Sequence, residues 1–89
     1  MNITDVRVHL RNREDHLKAF ASITLDDAFA VKDLKVIEGA RGLFVSMPSR
    51  KLPDGKYLDV AHPITKEMRD ELQTRVLEAY QRALEAGVA

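Results

Sequence analysis

The chain has 89 residues, 45% hydrophobic and 31% charged, which is the mixture of a folded chain and makes one domain spanning 1–89 with a modest core. Fourteen basic and fourteen acidic side chains cancel, which excludes a global field that would draw the chain to nucleic acid or an anionic membrane, so any such binding must come from a local patch. The absence of cysteine excludes a disulfide framework and thiolate chemistry, and fits a reducing compartment.

From Asn2 to Leu10, Thr4, Val6, Val8 and Leu10 alternate with Asp5, Arg7 and His9, the period-two pattern of a half-buried strand. The polar run Arg11 to His16 breaks it. Alternation resumes with Leu17, Ala19, Ala21, Ile23 and Leu25 on one face, and Asp26-Asp27 closes that strand in a short turn, so the two strands predict a hairpin. Ala28 to Ile37 keeps Phe29 and Val31 in phase, then continues through Leu34 and Val36 on the opposite parity. A bulge near Lys32-Asp33 reconciles the two halves.

"EGARG", Glu38 to Gly42, supplies a turn, and Leu43 to Met47 is apolar on both faces apart from Ser46, which suits a central or doubly covered strand. "PDG", Pro53 to Gly55, is a strong turn signal that returns the chain as a short fifth strand from Lys56 to Val60. After His62-Pro63, Thr65 caps a helix running to about Ala86, with Gly87 placed to end it. Met68, Leu72, Val76, Ala79 and Ala83 share one stripe, with Tyr80 at its edge, and this stripe packs on the sheet. The fold class is therefore α+β: an antiparallel meander of about five strands with a C-terminal helix on one face.

The search for chemistry excludes more than it finds. His9, His16 and His62 match no metal-ligand spacing and read as surface or turn residues, His62 bonding locally near the helix start. Asp26-Asp27 is a hairpin tip, where exposed carboxylates have little to tune them for acid–base work. No nucleophile elbow, phosphate-binding glycine loop or zinc-protease helix is present, so no enzyme, cofactor or metal is expected. The apolar runs are short and no cationic segment leads into one, so neither a membrane span nor a signal peptide is expected. On the helix, Glu71–Arg75 and Glu78–Arg82 have the favourable i,i+4 order and read as solvated pairs.

One stretch remains, "FVSMPSRKLPDG" from Phe44 to Gly55. Arg50 and Lys51 stand between two prolines, with Lys56 and also Arg41 on loops at neighbouring strand ends. A proline-framed loop presents its cations with little ordering cost on binding. The plainer reading is a hairpin tip whose charges prevent edge aggregation, and the residues alone favour it.

Four strings, "ITDVRV", "ASITLDDAFAVKDLKVIEG", "GLFVSMPSRKLPDGKYLDVAHPI" and the helix that follows, cover nearly the whole chain in one register. In them the sequence resembles the SpoVG family, stage V sporulation protein G, linked to septation in bacteria. The resemblance implies a small antiparallel sheet with a C-terminal helix, a homodimer, and cytoplasmic regulation of septation, sporulation and gene expression through DNA or RNA binding. Carried onto this chain, it marks Arg69 and Gln73 on the helix beside Arg50 and Lys51. Glu71 departs from the family pattern, where a basic residue is common. A regulatory adaptor that binds another protein is the competing expectation, for which net neutrality and the acidic helix face are suited.

Overall fold

The computed structural model describes residues 1–11 and 15–86. In chain order these form β1 (Ile3–Leu10), β2 (Leu17–Leu25), β3 (Phe29–Gly39), β4 (Gly42–Ser46), β5 (Ser49–Lys51), β6 (Tyr57–Asp59) and α1 (Lys66–Glu85). The fold is α+β as the sequence indicates: β1-β2-β3-β4 is an antiparallel meander, and the helix covers one of its faces. The fifth strand of the sequence reading is instead one arm of a separate two-stranded hairpin, β5-β6.

Turn chemistry sets the sheet. Asp26 and Asp27 both have positive φ, 51° and 53°, the two left-handed residues of a type I′ turn, which Ala28 N–H closes on the Leu25 carbonyl at 2.9 Å before Phe29 pairs with Leu25. Asp26 Oδ1 also accepts the Asn2 amide at 2.8 Å, tying this tip to the start of β1.

Three register shifts decide which side chains enter the core. The expected bulge falls between Val31 and Leu34: Val31 faces Ile23 and Leu34 faces Ala21, so Lys32 and Asp33 together oppose Ser22, and Asp33 takes a φ of 65°. A second shift in β1 makes Thr4 the extra residue, which puts Ile3 in the core. Thr4 was expected on the apolar face; it is exposed, and its hydroxyl accepts the Asp27 amide at 3.0 Å. A third, at Lys18, pairs Ala19 with Val36 but Leu17 with Ile37. Leu17 therefore leaves the face of Ala19 and Ala21, contrary to its parity in the sequence, and joins Ile37 and Phe44 on the side away from the helix.

The apolar run of β4 is not a central strand. It is an edge, paired only with β3, and Phe44 on its open side is 42% exposed. The Phe44 ring lies over Gly39, where an added Cβ would sit 3.0 Å from its Cε1, so glycine there makes room for the ring.

The core joins Ile3, Ala19, Ala21, Ile23, Leu34 and Val36 of the sheet to Leu72, Val76 and Tyr80 of α1. Thr65 caps α1 as predicted, its Oγ1 accepting the Met68 amide at 3.1 Å, while Gly87 lies outside the described residues. In the first turn Lys66 meets Asp70 at 2.8 Å, and the hydrogen bond and charge of Asp70 hold its ammonium above the usual lysine value. The expected pairs of Glu71 with Arg75 and Glu78 with Arg82 are not among the ion pairs of the described residues. Arg75 instead donates from Nη1 to the Ile3 carbonyl at 2.9 Å, which fastens the helix to β1.

Candidate functional site

The proline-framed cations lie on a projecting β-ribbon, not in a loop. Pro53, Asp54 and Gly55 form its tip: Gly55 N–H bonds to the Leu52 carbonyl at 2.9 Å, Gly55 takes a φ of 88°, and Leu52 N–H reaches the Lys56 carbonyl at 2.7 Å. This is the three-residue hairpin in which a type I turn needs glycine at its end. Asp54 Oδ1 adds a bond from the Lys56 amide at 3.0 Å.

The ribbon divides the cations. Arg50 pairs with Leu58 and Lys51 with Tyr57, so strand alternation puts Arg50 and Lys51 on opposite faces, with Lys56 on the side of Arg50. All three are exposed, and none forms an ion pair among the described residues. Arg41 does not join them. It sits in the turn between β3 and β4, at the far end of β4 from the start of the ribbon.

Arg69 and Gln73 meet at the ribbon's root. Together with Asp59, His62 and the β4 segment Phe44–Met47 they line an open groove of about 420 Å³. Arg69 is exposed. Gln73 is half-buried and committed at one end: its Oε1 accepts the Val45 amide at 3.1 Å, satisfying an outward N–H of the β4 edge. Its amide nitrogen is the group left to face the groove. His62 does bond locally, Nδ1–H to the Pro63 carbonyl at 3.1 Å, and all three histidines are exposed. Among the described residues no cluster of three or more His, Asp or Glu is placed to hold a metal ion, and no helix is long and apolar enough to cross a membrane.

The sequence reading did not mark the apolar surface that runs with these cations. Tyr57, Leu58, Val60 and Ile64 are exposed, Ile64 at 88%, and Phe29 is exposed at 67% beside an apolar hollow of about 190 Å³ lined in part by Leu25, Val31, Met47 and Met68. The available signal was arithmetic: once sheet and helix have paired, no element remains to cover these side chains. The SpoVG family model matches residues 1–82, which takes in the ribbon, Arg69 and Gln73.

The chain belongs to the SpoVG family. It is 59% identical over 83 residues to a protein of Lachnospira eligens, covering 93% of this chain and 94% of that one. It is 53% identical over 89 residues to one of Heliobacterium modesticaldum, the whole of both chains, and 49% identical over 87 residues to one of Caldicellulosiruptor saccharolyticus, 98% and 99% of the two. Each of these relatives carries the name "Putative septation protein SpoVG". The names describe septation proteins and not enzymes.

Proposed function

We propose that this SpoVG-family chain is a cytoplasmic homodimeric regulator that binds DNA or RNA through exposed cations, and by that route influences septation and gene expression. One observation carries the reading: Arg50, Lys51 and Lys56 stand exposed, and without ion pairs among the described residues, on a ribbon outside the main sheet, with Arg69 and Gln73 at its root. Cations already held by carboxylates lose part of that interaction when they bind a phosphate; these do not. Contacts of this kind give affinity and position without reading sequence. Because the ribbon splits them, Arg50 and Lys56 contact one phosphate track while Lys51 faces the other way.

The homodimer follows from the same ribbon. Two strands of three residues are too short to be stable alone in water, and this pair leaves Tyr57, Leu58, Val60 and Ile64 uncovered. A second copy docked on Val60, Ile64 and the Tyr57 side of the ribbon covers that apolar surface and leaves Arg50 and Lys56, on the opposite side, exposed in both copies.

Fluorescence anisotropy across a salt series tests the nucleic-acid reading. Replacing Arg50 and Lys56 with alanine should weaken binding to all sequences alike. The slope of log affinity against log salt should fall by about 0.9 per lost contact on duplex DNA, or about 0.7 on a single strand. Lys51→Ala should act separately, and Arg69→Ala should add a further uniform loss. Absence of salt-dependent binding by the unaltered protein at micromolar concentration would refute the reading and favour an adaptor that docks another protein on the apolar ribbon.

A further inference from the structure

Among the described residues no element covers the sheet face away from the helix, yet it is not a plain polar surface. Phe20, in the middle of β2, is 38% exposed there, and Phe44 on β4 is 42% exposed. Leu17 and Ile37 lie half-buried between them, brought to this face by the shift at Lys18. With β3 separating their strands and a two-residue offset along them, the backbone positions of the two rings are about 12 Å apart. Each ring is held. Phe44 rests over Gly39, and the Arg11 guanidinium lies 5.9 Å from the Phe20 centroid, itself fixed by the Leu17 carbonyl at 3.2 Å.

Beside Phe20 is a shallow hollow of about 330 Å³ lined by Arg7, His9, Ser22, Lys32 and Asp33. Of the carboxylates near this face, Asp5 is paired with Arg7, Asp15 with Arg11 and Glu38 with Lys18, and Asp33, next to Lys32 in the hollow, has no ion pair among the described residues. Lys32 and Lys35 have no ion pair among the described residues, and Lys35 sits directly between Phe20 and Ser46 in the ladder.

We propose that this face is a stacking platform for an unpaired nucleic-acid strand, with Phe20 and Phe44 receiving bases and Lys32 and Lys35 meeting the phosphates. It rests on the nucleic-acid reading above and gives that reading a second, single-strand-specific surface. Exposed rings on a β-sheet, with Lys35 between them and Lys32 beyond Phe20, suit a chain that offers flat bases and negative charge in alternation. A second copy of this protein suits the face less well, since docking it on itself sets lysines of like charge against one another. A duplex hides its base faces and gains nothing from the rings.

The test replaces Phe20 and Phe44 with leucine, which keeps apolar bulk and removes the aromatic plane. Binding to a uridine oligonucleotide and to a blunt DNA duplex is then followed by anisotropy, with the denaturant midpoint and sedimentation as controls. Affinity for the single strand should fall about 5- to 150-fold for each ring that stacks a base, with the salt slope unchanged. Duplex affinity and dimer mass should be unaltered. Irradiation of the unaltered protein with an iodouridine-substituted strand should give adducts on the peptides carrying Phe20 or Phe44, a readout independent of the variants' folding. Single-strand affinity equal to that of the unaltered protein would overturn this proposal alone, as would adducts confined to residues 49–59. Dissociation of the leucine variant into monomers would make the face a contact between copies instead. Absence of any nucleic-acid binding by the unaltered protein would overturn both readings.

Discussion

Leu72 and Val76 show how much one side chain carries here. Both lie in the middle of the buried helix stripe, at 5% and 0% exposure, packed against the sheet. Leu72→Ala should cost about 2–5 kcal/mol and Val76→Ala somewhat less, a large part of a small domain's stability. Lower denaturant midpoints in urea titrations are the expected result, and an unchanged midpoint would mean the packed face is misassigned. Arg75 behaves unlike Arg82. Its bond to the Ile3 carbonyl bridges chain segments 72 residues apart, so Arg75→Ala should loosen β1 from the helix, whereas Arg82→Ala should leave stability within about 0.5 kcal/mol. Amide exchange at Ile3 to Val6 distinguishes the two. The stripe of Leu72 and Val76 was legible in the sequence; the Arg75 contact was not, because Arg75 had a well-placed Glu71 and the competing carbonyl belonged to a distant residue.

At the scale of elements, what could be read was whatever parity expresses. The bulge at Lys32-Asp33 was visible because Phe29 and Val31 are out of phase with Leu34 and Val36, and only an extra residue brings both pairs to one face. The bulge at Lys18 was invisible because Leu17 is apolar and fits either face. The both-sided apolarity of β4 was read as central burial, although an edge strand facing a helix on one side and an open aromatic patch on the other has the same pattern. In the candidate site, the cations Arg50, Lys51 and Lys56 and the turn at Gly55 were legible, but the strand was not, since Ser49-Arg50-Lys51 has no apolar alternation to announce it. Gln73 was marked by family likeness, and its bond to the Val45 amide, 28 residues away, came only with the fold. Gln73→Ala should leave that edge amide without its partner and weaken protection of Val45 from hydrogen exchange, with a stability loss of about 1 kcal/mol.

The whole molecule exposes more than its mass requires. A folded monomer of 10.1 kDa has about 5,300 Å² of accessible surface, whereas this chain exposes 6553 Å². Large exposed apolar side chains gather on the ribbon and the segment after it, where Val60 and Ile64 stand clear of the core. A charge placed in that surface should therefore act on assembly before it acts on folding. Ile64→Asp or Val60→Asp should reduce the sedimenting mass from dimer to monomer at micromolar concentration, with the sheet and helix retained by circular dichroism. A monomeric unaltered protein would remove the case for a second copy on this surface and leave the ribbon for another partner.

The bulge of β3 also fixes where this chain can grow shorter. Val31 and Leu34 both reach the helix side across two intervening residues, one more than a regular strand allows. Removing either Lys32 or Asp33 would restore simple alternation and keep both apolar side chains inward, and without Asp33 the left-handed residue at φ 65° disappears as well. Loss of one residue at Lys35 has the opposite effect, because Leu34 and Val36 would then become neighbours with only one of them able to face the core. Natural or engineered length variation within this strand should accordingly be confined to positions 32 and 33, and a library of single deletions across Phe29–Gly39, sorted for folded protein, should recover survivors there and lose them at the strand's other interior positions.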